Sequence, residues 1–97
     1  MRTGQNERSR HCIETEIKLG RWRASQIGTM IAEFNRMCID LGHQIEAEEK
    51  RAQINDPTHF AYPTYAKAAR ERRTKLQQSA DALKIELERL STYREVA

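Results

Sequence analysis

The residues of this chain that could carry chemistry are few, and their spacing does not suit it. The ligands of metal-binding type are three histidines, His11, His43 and His59, and two cysteines, Cys12 and Cys38. Zinc needs such ligands paired at short helical or knuckle spacing. His11-Cys12 is a lone adjacent pair with no second half. No Ser-His-Asp set, no Cys-His pair in a suitable context and no glycine-rich phosphate loop is present. Glu46, Glu48 and Glu49 stand beside Lys50 and Arg51, which reads as a solvated helix surface rather than a general acid and base. The expectation is therefore no catalysis, no cofactor and no metal. Aromatic contact is the chemistry that remains. Phe60, Tyr62 and Tyr65 fall within six residues, together with Asp56, Pro57, His59 and Pro63. Rigid rings bury much area at low entropic cost, so they anchor partners well. The same rings could instead plug the end of a helix pair. One ring facing in and another facing out would satisfy both readings.

Elements must hold that cluster, and composition limits them. Ninety-seven residues make one domain at most. Leu, Ile, Val and Phe number 17, thin for a compact globule, while Ala, Glu, Lys, Leu and Arg number 45, the mix of long helices. Charge is nearly balanced, at 17 basic against 14 acidic residues, so disorder driven by net charge is not expected. No apolar run approaches the roughly 20 residues that span a bilayer. Residues 1 to 7 contain no apolar h-region, so no secretory signal is expected. Cys12 and Cys38 lie on one predicted helix, roughly 39 Å apart at about 1.5 Å per residue, too far to bridge within the chain. They are expected to be the reduced thiols of a cytoplasmic protein, with Cys38 as a small core residue.

Periodicity supplies the architecture. The series Ile13, Ile17, Gly20, Ala24, Ile27, Ile31, Phe34, Cys38, Leu41, Ile45, Glu48, Ala52 steps by four and three without a slip. This is the a/d seam of a left-handed coiled coil. It predicts a helix over residues 9 to 52, after a flexible segment 1 to 8. A second series, Ala66, Ala69, Arg73, Leu76, Ala80, Leu83, Leu87, Leu90, Arg94, predicts another over 64 to 95. Between them, residues 53 to 63 hold both prolines. Asp56-Pro57 fits an N-cap with proline at the first position of a short helical turn. Pro63 disfavours helix at Tyr62, and Thr64 is placed to cap the second helix. The connection is short, so the helices should fold back antiparallel. The fold class is all-α, two long helices in a coiled-coil hairpin.

Setting residue i against 121 minus i faces Phe34 with Leu87 and places the polar misfits Glu48 and Arg73 opposite each other. A polar pair inside an apolar seam fixes register more than it stabilises. A shift of three places Glu48 near Arg70 instead. In the first register the helix before about residue 24 lacks a partner, although Ile13 and Ile17 continue the seam there. A homo-oligomer through Ile13 and Ile17 is one way to cover them. Trp22 lies off the seam at the same end, covered by Arg21 and Arg23 or free to anchor a partner. Gly20, Gly28 and Gly42 each cost a helix about 1 kcal/mol relative to Ala, so modest stability is expected. Lys67, Arg70, Arg72, Arg73 and Lys75 form a basic run, but Glu71 interrupts it and Glu46, Glu48 and Glu49 face it. That is a salt-bridged helix face, and no nucleic-acid partner is expected.

Ile45-Glu46-Ala47-Glu48-Glu49-Lys50-Arg51-Ala52 and the string from Asn55 through Asp56-Pro57-Thr58-His59-Phe60-Ala61-Tyr62-Pro63-Thr64-Tyr65-Ala66 to Arg73 resemble the alphaproteobacterial branch of the flagellar export protein family FliJ. Met30-Ile31-Ala32-Glu33-Phe34 is similar too. The likeness covers about residues 27 to 90 and is weakest before residue 27. It implies a non-enzymatic antiparallel hairpin in the flagellar type III export apparatus. There the family is a stalk-like partner of the export ATPase, and it also engages the membrane export gate and export chaperones. The resemblance implies a cytoplasmic protein, peripheral to the membrane at most. The second helix is shorter than usual in the family, so this would be a short or truncated member. The partner-binding residues assigned to the tip are Asp56, Pro57, His59, Phe60, Tyr62, Pro63 and Tyr65. A generic coiled-coil scaffold or chaperone, pairing through its exposed seam, is the competing expectation.

Overall fold

The structure is a computed structural model that describes the backbone of residues 2–96 and the side chains of residues 10–91. Two helices account for the fold: α1, Arg2–Ala52, and α2, Thr64–Val96. They pack antiparallel into a rod of 77 × 17 × 17 Å. The 51 residues of α1 span the long dimension, as about 1.5 Å per residue requires. The helix thus begins at Arg2 rather than at residue 9, and the segment expected to be flexible belongs to it. No strand is present among the described residues, and no helix there is long and apolar enough to cross a membrane.

The seam lies where the periodicity places it. From Gly20 to Ala52 every seam position of α1 is buried or half-buried, and so is every one of α2 from Ala66 to Leu90. Arg94 lies outside the residues whose side chains are described. Ile27, Leu41, Ile45, Ala66, Ala69 and Ala80 are buried. Ile13 and Ile17 are 56% and 42% exposed.

The register differs from the expected one. Gln44 bonds Tyr65, Arg23 bonds Glu86 and Arg70 bonds Glu49 across the helices, while Ile45 clusters with Ala69. Contacts on the two flanks balance when residue i faces 114 minus i, one heptad short of 121 minus i. Glu48 then stands opposite Ala66 and Arg73 opposite Leu41. The Glu48–Arg73 pair does not form: Glu48 pairs with Arg51 on its own helix, and the Arg73 guanidinium lies 3.6 Å from where a side chain on Gly42 would begin. The alternative partner of Arg70, Glu48, is also displaced by its neighbour Glu49. The reason is periodic. Sliding a heptad seam by seven residues keeps every apolar residue in it, so the pattern permits both alignments. In the observed one the helices pair right up to the connection, and large residues meet small ones, Ile45 with Ala69 and Phe34 with Ala80. Pairing also reaches further toward the N-terminus than expected. Gly20 is half-buried and Arg23 is bonded to α2.

Both helix ends at the connection are closed. Ile54 N–H donates to Glu49 C=O at 3.2 Å and Gln53 N–H to Lys50 C=O at 3.3 Å. These are the two bonds of a Schellman cap, with Gln53 in the left-handed conformation at φ 58°. At the start of α2, Lys67 N–H donates to Pro63 C=O at 3.1 Å. Pro63 therefore occupies the capping position expected of Thr64, which is the first helical residue.

Candidate functional site

The connection closes on itself through its own side chains. Asp56 Oδ1 accepts from the Thr58 amide at 2.9 Å and the Thr58 hydroxyl at 2.7 Å. His59 N–H donates to Asp56 C=O at 3.1 Å, closing a β-turn with Pro57 at its second position rather than the short helical turn expected there. The Thr58 hydroxyl first, then its amide and the nearby His59, hold the Asp56 carboxyl below its ordinary value of 3.8. Three residues on, the arrangement repeats in another chemistry: His59 Nδ1 accepts from Ala61 N–H at 3.0 Å. That bond assigns the ring hydrogen of the neutral imidazole to Nε2. Tyr62 N–H then donates to His59 C=O at 3.0 Å.

The three tip aromatics have separate fates. Tyr62 is 8% exposed and points inward. Arg70 Nε donates to its hydroxyl at 2.8 Å, and Arg70 Nη2 donates to Glu49 Oε1 at 3.1 Å. Tyr62, Arg70 and Glu49 thus tie the connection to both helices. The Tyr62 bond first, then the Glu49 charge, hold Arg70 more firmly protonated than an ordinary arginine. Its guanidinium carbon sits 5.9 Å from the Tyr62 ring centroid, a distance at which the hydrogen bond outweighs the ring's attraction for a cation. Tyr65 is exposed, with its hydroxyl donating to Gln44 Oε1 at 2.9 Å. Phe60 is 96% exposed, its ring stacked on His59 at 4.7 Å and 22° between planes.

Of the residues assigned to partner binding, the structure presents Asp56, Pro57, His59, Phe60 and Tyr65 to solvent, leaves Pro63 half-buried and removes Tyr62 to the core. Sequence reasoning missed the Glu49–Arg70 pair. Its signal was there: both residues flank the seam on the same edge of the rod, where charged pairs of antiparallel helices meet. Tyr62 had a signal too, lying one four-residue step before Ala66 in the α2 series. Among the described residues no cluster of three metal-ligating side chains exists, and Cys12 and Cys38 are free thiols. The Cys38 thiol approaches Arg73 C=O at 3.8 Å, a weak bond suited to a residue of the seam. No family model, curated protein or solved structure matches this chain.

Proposed function

We infer that the chain is a non-catalytic, stalk-like partner of the flagellar export ATPase. The observation that carries this reading is a self-braced tip on the end of a narrow rod, with Phe60 almost wholly in water. An isolated phenylalanine in solvent gains nothing for the fold. Held rigid by bonds on either side, it binds with little further loss of entropy. The resemblance of residues 45 to 73 to the FliJ family supplies the partner. A rod 17 Å across suits entry into a ring, where a fixed tip would favour one arrangement of the subunits. The export gate and export chaperones are further partners under this reading. The protein would work in the cytoplasm, peripheral to the membrane at most.

The test is a titration of the chain into the export ATPase of the same organism, following ATP turnover and ring assembly. Wild type is expected to stimulate turnover. Phe60→Ala should lose most of that stimulation, while Tyr65→Phe keeps it. No effect of wild type sinks the reading. The exposed Ile13 and Ile17 favour a second one, a scaffold that pairs through its open seam. Ile13→Ser with Ile17→Ser would then abolish association and leave the ATPase response intact.

A further inference from the structure

The two flanks of the rod differ in character. One carries the Arg23–Glu86 and Gln44–Tyr65 bonds, the other the Glu49–Arg70 pair. On the Arg23 flank of α1, the position next to the seam is filled by Met30 and Met37, which are 41% and 36% exposed. On the opposite flank the equivalent positions include Gly28 and Gly42, and nothing lies within 4 Å of where a side chain on Gly28 would begin. A two-stranded seam needs apolar residues at two positions per heptad. A third, widening the stripe to one side, is the pattern of a helix in a larger bundle.

The outer row of that same flank carries charge sorted by helix. On α1 it includes Glu33 and Asp40 with no base; on α2 it holds Lys75 and Arg89 with no acid. All four side chains are exposed. Stacking α1 on a second α1 would set Glu33 and Asp40 against acids, whereas stacking α1 on the α2 of a second copy sets Asp40 against a base. A two-fold axis along the rod does the latter, and the register then brings Asp40 level with Lys75 of the second copy. Met30 comes level with a shallow cavity of about 520 Å³ on α2, walled by Ala82, Ile85 and Leu90 with Glu86 and Arg89. From residue 19 to residue 45 the face is roughly 40 Å long. At a width of 17 Å it covers on the order of 700 Å² per copy, close to the roughly 800 Å² of an ordinary stable interface.

We propose that this face is the contact of a parallel homodimer, a four-helix bundle with both tips at the same end, formed when the single rod is not seated in a ring. It is separate from the seam at Ile13 and Ile17. Sedimentation equilibrium of the full chain over a concentration series tests it. The wild type should dimerise. Met30→Glu with Met37→Glu should weaken dimerisation by about a hundredfold or more, with helical circular dichroism retained, because two charges would be buried unpaired. Ile39→Glu, on the opposite flank, should leave it unchanged. A wild type monomeric up to millimolar concentration, or equal loss with Ile39→Glu, overturns the proposal. If the methionine variant loses its helicity, the charges decide. Asp40→Lys and Lys75→Asp should each dimerise about fivefold more weakly, and an equimolar mixture of the two should recover. A mixture as weak as its components overturns the proposal.

Discussion

The tip end and the open end of this rod are built from the same repeat and end differently. Near the tip, Ile45 is 2% exposed, the Glu49–Arg70–Tyr62 bonds cross the gap, and a Schellman cap and an Asx turn close the connection. Toward the open end, the Arg23–Glu86 pair lies between side chains that are 63% and 38% exposed. Beyond it Ile13 and Ile17 stand in water, and Leu19 and Trp22 are exposed on other faces. An apolar seam is necessary for pairing but does not complete it. A fixed end, where loop closure has already been spent, makes each neighbouring layer cheaper to form. Order should therefore decline from the tip outward, with amide exchange slow around Ile45 and fast around Ile17.

The largest test of that contrast is Ile45→Ala against Ile17→Ala. The first empties a fully packed site and should cost about 3 kcal/mol in denaturant melts, much of what a small hairpin has. The second should cost well under 1 kcal/mol. Equal costs would mean that stability is spread evenly along the rod. Next comes the cross-helix tie. Tyr62→Phe leaves Arg70 one bond short at a half-buried site and should cost about 1 kcal/mol, whereas Tyr65→Phe should be nearly silent. Gly28→Ala meets open space and should stabilise by about 1 kcal/mol, visible as a raised melting temperature. Gly42→Ala should gain about as much, because a methyl there meets the Arg73 guanidinium at an ordinary van der Waals distance of 3.6 Å.

The smallest effect is one of pH. The folded tip holds the Asp56 carboxyl below 3.8, so its contribution is complete above that value and disappears as pH falls through the depressed one. Protection of the Thr58 amide, taken relative to its intrinsic exchange rate, should fall in that acid range, and Asp56→Ala should show the lower protection already at neutral pH. Exchange of the Ile45 amide should not follow it.

What could be read from the sequence follows from what repeats. The three-four alternation marks which residues face inward, because that depends only on the helix period. It leaves the alignment undecided, because alignments one heptad apart bury the same set. Residues that lie outside the repeat decide it: Tyr62 closing the end of the seam, Arg70 reaching Glu49, and the number of residues in the connection. The orientation of the tip rings was only partly legible. Tyr62 belongs to the α2 series and turns in, whereas Phe60 belongs to no period, and its position depends on the loop bonds at Asp56 and His59. Arg73 was misread as half of a register pair. A long side chain can leave the seam wherever its neighbour is small, and Gly42 gives it that exit.

The seven-residue degeneracy has a mechanical meaning. Neighbouring alignments of the helices differ by about 10.5 Å of sliding, and every one of them presents a filled seam. The connection and the Tyr62–Arg70–Glu49 tie beside it distinguish them, so this end serves as the index pin of a vernier scale. A cut between Asp56 and Pro63 would separate two helices that still fit each other in several offsets. The rod would then take several lengths in steps of one heptad. A single covalent connection at the tip thus fixes how far this rod can reach.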